Sequence, residues 1–483
     1  MLQTLKNAWN TKEIRSKILF TLFILLLYRI GTVIPVPFVD ANNFASTFNG
    51  TILDQMNILS GGALGTATLF ALGVSPYINA SIIIQLLAVV FPKLGELAKT
   101  DKSKMNLITR ITTVILALVT AIGYYFLLRN SQMLTNAAMP EDNPKTFWLY
   151  GIVIVACYCA GAAMVMWLAE LVNQKGIGNG ISLILFAGII ASIPSFVYNL
   201  VSLVVGTYQY SKLAWLYGIL STLFAILLIA GVAGLIIFVI WVTGSERRIS
   251  VRYAKQIKGR KMYGGQSQNL PIKVNMTGVM PIIFASSIVS LVPTILALCG
   301  VTNDTKGFWG GVSRFLATDG FFYPLCLFVL IIAFTYFYTM ITFDPIDVAN
   351  RIKSQGGTIA GIRQGRPTAD FIRNVLNKVT LVGALFLGII AILPIIAGPH
   401  LIQHILHWFM YGSDYAIWAQ EMATGSNAWL SSYYLGQIDA TVQSMTSTFT
   451  FGGTTLLILV GVVLETFREL EAQLTMRNYK GFL

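Results

Sequence analysis

Two stretches of this chain carry the same pattern: residues 73–83 read GVSPYINASII, and residues 278–288 read GVMPIIFASSI. Seven of the eleven positions are identical. Each copy places glycine and proline just ahead of an apolar run, and proline is tolerated in the first turn of a helix. Small residues follow in both copies, and small residues allow neighbouring helices to approach closely. The pattern predicts two equivalent helices in two related halves of the chain.

The composition around the repeat is that of a membrane protein. Of the 483 residues, 55% are hydrophobic and 11% are charged, whereas a soluble domain carries about 25% charged residues. A membrane helix needs about 20 mostly apolar residues. About ten such segments are predicted, at residues 18–36, 73–92, 106–128, 147–172, 181–205, 216–242, 278–299, 321–343, 379–397 and 452–468.

The basic residues predict the orientation. An even number of spans puts both termini on the same side of the membrane. With that side facing the cytoplasm, most of the 33 lysines and arginines lie on inner segments, and the outer loops hold only Arg129, Lys145, Lys212, Lys306 and Arg314. This asymmetry follows the positive-inside rule. We therefore predict a multi-pass protein with both termini in the cytoplasm.

The position of the repeat predicts the architecture. Its first copy opens the second span and its second copy opens the seventh, so the two copies cross the membrane in opposite directions. Such an inverted-topology repeat predicts an all-α membrane fold of two five-helix halves, residues 1–205 and 206–483. Just before the first copy, a glycine-rich stretch is too short and too interrupted to span. Because irregular backbone at membrane depth is stable only inside protein or beside water, we expect a plug half-helix near residues 58–70.

Two predicted inner loops, residues 243–277 and 344–378, are unusually long and basic. A role in membrane topology and in contact with anionic lipid explains the charge of these loops but not their length. A docking surface for a large anionic partner, either RNA or an acidic protein, explains both the charge and the length.

Ionisable residues inside the spans bear on a first alternative function, secondary transport. Apart from Arg29 and Glu170, we expect no ionisable residue deep in a span. Ion-coupled transporters keep acidic or histidine relays there, so this expectation argues against a transporter.

A second alternative is a membrane enzyme built on the histidines of an enlarged outer segment, residues 398–448. The three histidines are His400, His404 and His407. Their spacing puts them on one helical face, where a metal site is conceivable. We favour an interfacial helix there and expect neither a metal nor catalysis.

Longer motifs resemble a known family. LFALGVSPYINASIIIQLL (69–87) and WLAELVNQKGIGNGISLIL (167–185) resemble the two signatures of the SecY family. Further matches in family order are YRIGTVIPVP (28–37), SGGAL (60–64), GRKMYGGQSQNLPIKVNMTGVMP (259–281), GIRQGRPT (361–368) and FGGTTLLILVGV (451–462). The resemblance implies a clamshell around a protein-conducting channel of the bacterial inner membrane. It further implies a lateral gate between the second and seventh spans, which releases signal sequences and membrane helices into lipid.

The resemblance also implies roles for particular residues, which otherwise read as ordinary helix-packing positions. The implied pore ring is Val74, Ile78, Leu185, Ile189, Ile283 and Ile458. The implied plug is Ser60, Gly61, Gly62, Ala63 and Leu64. Candidate gate contacts are Asn79, Gln85, Ser287 and Leu291. Candidate docking residues are Lys255, Arg260, Lys261 and Arg363.

Partners follow from the same resemblance. It implies a heterotrimer with SecE and SecG, docking of the SecA motor or the ribosome, binding of signal sequences and nascent polypeptides, and SecDF and YidC as further partners in the lipid bilayer. No phosphate-binding GxxxxGK[ST] motif occurs in the chain, and such a loop is the usual cradle for nucleotide phosphates. We therefore expect the energy for transport to come from a partner or from the proton gradient, with no cofactor in this chain.

Overall fold

The computed structural model describes most of the chain. The described residues are 2–40, 52–135, 147–210, 214–253, 256–258, 261–263, 267–298, 301, 307–316, 320, 322–397 and 453–476. The enlarged segment 398–448 with its three histidines, and the predicted docking residues Lys255 and Arg260, lie outside them.

Helices dominate the described residues. They are α1 (Leu2–Asn10), α2 (Lys12–Gly31), α3 (Ile52–Leu59), α4 (Ser75–Val90), α5 (Pro92–Thr100), α6 (Lys102–Asn130), α7 (Phe147–Lys175), α8 (Gly180–Tyr210), α9 (Ala214–Gly244), α10 (Met280–Leu298), α11 (Phe308–Phe315), α12 (Phe322–Thr342), α13 (Pro345–Ser354), α14 (Arg366–Ala397) and α15 (453–476). Each of the ten predicted spans overlaps one of them: α2, α4, α6, α7, α8, α9, α10, α12, α14 and α15.

Several helices meet the length and hydropathy of a membrane span. Within the described residues, five helical segments do so. They are Ser103–Asn130, Trp148–Lys175, Thr222–Gly244, Phe322–Ser354 (α12 together with α13) and Arg366–Ile396. A bent pair, α4 with α5, makes a sixth if it counts as one span, and its bend is 116°. The bend lies at Phe91, whose extended backbone precedes Pro92, because proline disfavours helical geometry in the residue before it. The chain is a multi-pass membrane protein.

The two copies of the repeat begin their helices in the same way. Gly73 and Gly278 both adopt positive φ, +53° and +66°, a conformation in which a side chain would be strained. In each copy the carbonyl oxygen of the next residue, Val74 or Val279, accepts the amide N–H groups three and four residues later, at N···O distances between 3.0 and 3.2 Å. The shared sequence therefore encodes a shared helix start.

The two basic loops, which the sequence left without secondary structure, build one small sheet. Strand β1 (Glu246–Tyr253) pairs antiparallel with β4 (Ser267–Lys273) and with β5 (Gly357–Ile359). A separate hairpin joins β2 (Gln256–Lys258) to β3 (Lys261–Tyr263). Isoleucine and valine from the sheet pack against α13 and the start of α14, and the buried residues include Ile249, Val251, Ile272, Ile352, Ile359 and Ile372. Strands β1, β4 and β5 therefore join described parts of the two loops into one folded unit.

Some boundaries differ from the sequence prediction. Helix α2 ends at Gly31 instead of residue 36. Helix α14 begins at Arg366 instead of residue 379, because its first turns bury Ile372 and Leu376 against the sheet. The half-helix expected near 58–70 lies earlier, at α3, since Gly61 and Gly62 adopt positive φ of +72° and +88° and turns follow.

Candidate functional site

The six predicted pore-ring residues lie in one apolar cluster. They come from the start of α4, from α8, from α10 and from α15, and none is more than 6% exposed. Ile78 and Ile283, which occupy equivalent positions of the repeat, are both in it. The same cluster also holds buried residues of α2, α7, α9, α12 and α14, so the six residues belong to the main apolar core of the helices.

Glycine lets α15 approach this cluster closely. A Cβ atom on Gly461 would lie 2.0 Å from Cγ1 of Val279, the residue just before α10. A distance that short is a steric clash, so the backbone of α15 can lie against Val279 only without a side chain at this point. Ile458 lies three residues before Gly461 in α15 and belongs to the same apolar cluster as Val279.

The predicted plug residues belong to a compact turn. We define the plug segment as residues 60–68, and Asn57 organises it from the end of α3. The Asn57 Oδ1 atom accepts the Gly65 amide N–H at 2.7 Å, and the Asn57 carbonyl oxygen accepts the Gly62 amide N–H at 2.8 Å. Asn57 was not among the residues predicted from the sequence, although an asparagine ahead of a glycine-rich stretch is a known turn signal.

Three buried tyrosines reach the plug segment from three helices. The Tyr28 hydroxyl of α2 donates to the Ser60 carbonyl oxygen at 3.2 Å. The Tyr124 hydroxyl of α6 donates to the carbonyl oxygen of Leu64 at 2.5 Å, and Tyr158 of α7 donates to that of Ala67 at 3.2 Å. The sequence analysis did not find these tyrosines, since nothing in their local pattern separates them from other aromatic residues of apolar helices.

The backbone around the plug segment lies directly on α7 and α8. A Cβ atom on Gly188 would lie 2.3 Å from the Leu59 carbonyl oxygen, and one on Gly161 would lie 1.9 Å from the Leu69 carbonyl oxygen. Both distances are far inside van der Waals contact. The two glycines therefore provide the space in which this backbone sits.

Arg29 brings positive charge to the same place. Its Nη1 atom is buried, and within the part of the chain that the structure describes it has no hydrogen-bond partner. A Cβ atom on Gly61 would lie 2.6 Å from it. The guanidinium group therefore lies against the first glycine of the plug segment.

The predicted gate residues lie where α4, α10 and α12 meet. The Gln85 Oε1 atom accepts the Tyr338 hydroxyl of α12 at 2.5 Å, and Gln85 Nε2 donates to Ser81 Oγ at 3.0 Å. The Tyr338 ring packs against Phe284 of α10, with centroids 5.1 Å apart. Gln85 thus has its partner on α12, a helix that the sequence analysis did not connect with the gate.

The other three gate candidates are half-buried. They are Asn79 of α4, and Ser287 and Leu291 of α10. Apolar residues of both helices, such as Ile82 and Val289, belong to the cluster that holds the pore-ring residues. The seam between α4 and α10 is therefore largely apolar, with polar groups at its edges.

An ion pair inside the helices corrects one expectation. Arg110 of α6 and Glu170 of α7 are joined twice, with Nη2 to Oε2 at 2.5 Å and Nε to Oε1 at 2.8 Å. Contrary to the expectation, Arg110 lies within predicted span 106–128, and Glu465 and Arg468 lie within predicted span 452–468. A bidentate pair offsets the penalty of charge at membrane depth. Both charged groups are used in this pair, so it links α6 to α7 and does not form a proton or ion relay.

Two docking candidates lie within the described residues. Lys261 belongs to strand β3, and Arg363 lies exposed in the turn between β5 and α14. Gln364 Nε2 donates to the Gly357 carbonyl oxygen at 3.0 Å, which ties that turn to β5. Because β5 pairs with β1, the turn belongs to the same folded unit as β1.

Known proteins resemble this chain along its length. The SecY family matches residues 68–413. A protein translocase subunit SecY from Mycobacterium tuberculosis (strain ATCC 25618 / H37Rv) is 38% identical over 500 residues. One from Streptomyces scabiei is 37% identical over 499 residues. Both alignments cover 100% of this chain and 100% of the relative.

Solved structures share the fold at low sequence identity. One described as a protein conducting channel is 18% identical with a TM-score of 0.53, and one from a study of the SecY plug domain is 17% identical with a TM-score of 0.55. Sec61 in the canine ribosome-channel complex is 17% identical with a TM-score of 0.51. All three matches cover 95% of this chain and 92% of the other. They confirm the predicted all-α membrane architecture.

Proposed function

The chain belongs to the SecY family, and on that premise we propose that it forms a protein-conducting channel in the bacterial inner membrane. Unfolded secretory polypeptides pass through the channel, and transmembrane segments leave it sideways into lipid. Both termini face the cytoplasm. The observation that carries the proposal is the convergence of six aliphatic side chains from four parts of the chain in one buried cluster.

A ring of aliphatic side chains suits the passage of many different sequences. Such side chains offer a moving peptide no hydrogen bond, so they do not retain it. When no peptide is present, an apolar constriction also excludes water and ions by dewetting. We assign this ring to Val74, Ile78, Leu185, Ile189, Ile283 and Ile458, with the plug segment beside it.

We assign the lateral gate to the seam between α4 and α10, with Asn79, Gln85, Ser287 and Leu291 as its polar and edge contacts. Lipid tails are as apolar as leucine. An apolar signal helix or lipid can therefore replace the contacts of this seam at little net change in free energy. The two halves that part here are residues 1–205 and 206–483.

We assign partner docking to the small β-sheet unit and its basic loops. Lys255, Arg260, Lys261 and Arg363 supply positive charge for the ribosome or the SecA motor, since surface charge of one sign steers partners of the other. SecE and SecG complete the complex, with SecE clamping the two halves.

A disulfide across the gate tests the proposal. Asn79→Cys and Leu291→Cys are introduced together after replacement of the native cysteines, and crosslinking and export are measured in membranes with and without a stalled secretory precursor. We expect bridging in resting membranes, loss of export once bridged, and little bridging when a precursor occupies the channel. Bridging that leaves export intact while small-solute uptake fails would instead support a transporter.

A matched pair inside one half serves as the control. Phe328 of α12 and Gly388 of α14 are neighbours, since a Cβ atom on Gly388 would lie 2.5 Å from the Phe328 ring. A disulfide between Phe328→Cys and Gly388→Cys is expected to form and to leave export unchanged. If this bridge also stops export, the effect of the gate bridge is not specific to the gate.

A further inference from the structure

We propose that the hydroxyl groups of Tyr28, Tyr124 and Tyr158 hold the plug segment in its closed seat and so determine how readily the channel opens. This inference rests on the proposed channel function, and it concerns residues to which neither the motifs nor the comparisons gave a role. The three tyrosines are positioning residues, because they act on the passage through the plug segment.

The three hydrogen bonds converge on one short stretch. The acceptors are the carbonyl oxygens of Ser60, Leu64 and Ala67, which are spaced four and three residues apart. The donors come from α2, α6 and α7, so each bond joins the segment to a different helix. A single helix could shift together with the plug segment and keep its bond. With donors on three separate helices, the segment cannot move without breaking at least one bond. The bonds therefore define a fixed position.

Burial makes these bonds hard to replace. Tyr28 and Tyr158 are 0% exposed and Tyr124 is 1% exposed. A buried hydroxyl or carbonyl without a partner is unfavourable because water no longer satisfies it. Displacement of the plug segment would break all three hydrogen bonds at once. Their combined free energy therefore opposes the opening of the channel.

Ring packing holds the tyrosines in place independently of their hydroxyl groups. The Tyr124 and Tyr158 rings meet edge to face with centroids 5.0 Å apart. The Tyr28 ring stacks on Phe70, with centroids 5.9 Å apart. A phenylalanine would keep these ring contacts and lose only the hydroxyl. Substitution by phenylalanine therefore separates the hydrogen bond from the packing.

The neighbouring Tyr125 provides a matched control. It lies on the same helix as Tyr124, is 9% exposed and also packs in the apolar cluster of α6 and α7. Its hydroxyl lies beside Gly151 of α7, where a Cβ atom would be 3.0 Å away. Tyr125→Phe thus removes a tyrosine hydroxyl from the same helix as Tyr124, one that does not reach the plug segment.

The test uses the full chain in its complex, reconstituted into vesicles, with Tyr28→Phe, Tyr124→Phe and Tyr158→Phe singly and together. Two quantities are measured in the resting state: leakage of a small anion, and the rate at which a thiol reagent labels Ser60→Cys in a background without native cysteines. Ser60 is a buried residue of the plug segment, 4% exposed, so a thiol there reacts only when the segment leaves its position. Export of a normal precursor is measured in parallel.

We expect each single substitution to raise both leakage and labelling about threefold to tenfold, as for the loss of one hydrogen bond, and the triple variant to exceed each single one. Tyr125→Phe should match the wild type. The inference is overturned if the triple variant leaks and is labelled like the wild type, or if Tyr125→Phe has the same effect. Failure of the wild type to export a precursor would instead overturn the channel function. Labelling of Ser60→Cys would still show whether the three hydroxyl groups hold the plug segment in place.

Discussion

The plug segment and the gate seam are held by different kinds of contact. The plug segment is fixed by directional hydrogen bonds from Asn57 and three tyrosines, and by backbone contacts at two glycines. The seam between α4 and α10 consists mainly of apolar side chains, with the Gln85–Tyr338 hydrogen bond at one edge. The plug segment therefore has one specific position, whereas the apolar contacts of the seam can be replaced by those of another apolar partner.

This difference fits what each region has to do in the proposed channel. A hydrogen bond depends on distance and angle, so the plug segment regains full stability only when it returns to one position. Apolar contacts are non-directional, so the seam can exchange its partner for lipid or for an apolar helix of any sequence. The predictions below separate the two regions, in order of expected effect.

Replacing Gly161, which leaves room for the backbone just after the plug segment, should have the largest effect. Gly161→Leu would place Cβ 1.9 Å from the Leu69 carbonyl oxygen, and a clash with backbone falls at the upper end of the overpacking range, about 3 kcal/mol. We expect the plug segment to be displaced, with strong anion leakage from resting vesicles. Gly231→Leu is the control, because nothing lies within 4 Å of a Cβ atom there. Normal sealing in Gly161→Leu would mean that this glycine does not define the seat.

Removing the gate hydrogen bond should have an intermediate effect. Tyr338→Phe leaves the half-buried Gln85 Oε1 without its donor, at a cost of about 1–2 kcal/mol. We expect easier gate opening, measured as an increase of about fivefold in export of a precursor with a weakened signal sequence, and unchanged anion leakage. Tyr336→Phe is the control on the same helix, since its hydroxyl bonds to the exposed Asn377 carbonyl oxygen. Increased leakage in Tyr338→Phe would contradict the separation of gate from plug.

The smallest effect is expected at Ser81. Ser81→Ala removes the acceptor of Gln85 Nε2 but leaves the Tyr338 bond to Gln85 Oε1 in place. A half-buried amide can find water instead, so we expect a loss of about 0.5 kcal/mol, which corresponds to about a twofold change in export of the weakened precursor. An effect as large as that of Tyr338→Phe would show that Ser81 orients Gln85 and that the two bonds act as one unit.

Much of the fold could be predicted because its signals are local. Hydropathy over about 20 residues predicts a span, and each predicted span overlaps a described helix. The glycines of the repeat predict helix starts, and Gly73 and Gly278 have the positive φ that only glycine adopts easily. The functional roles of the ring, plug, gate and docking residues rest on the family motifs and stay predictions.

The sequence by itself determined the ten predicted spans, the repeat and the family, because each of these depends on the residues of a segment of about 20 residues or of a short motif. The tertiary structure alone decided which polar groups meet. The three tyrosines lie 32, 60 and 91 residues from their acceptors, and Gln85 lies 253 residues from Tyr338. A side chain's identity states what it can donate, but its partner depends on which helices pack together, and that is decided by the whole fold.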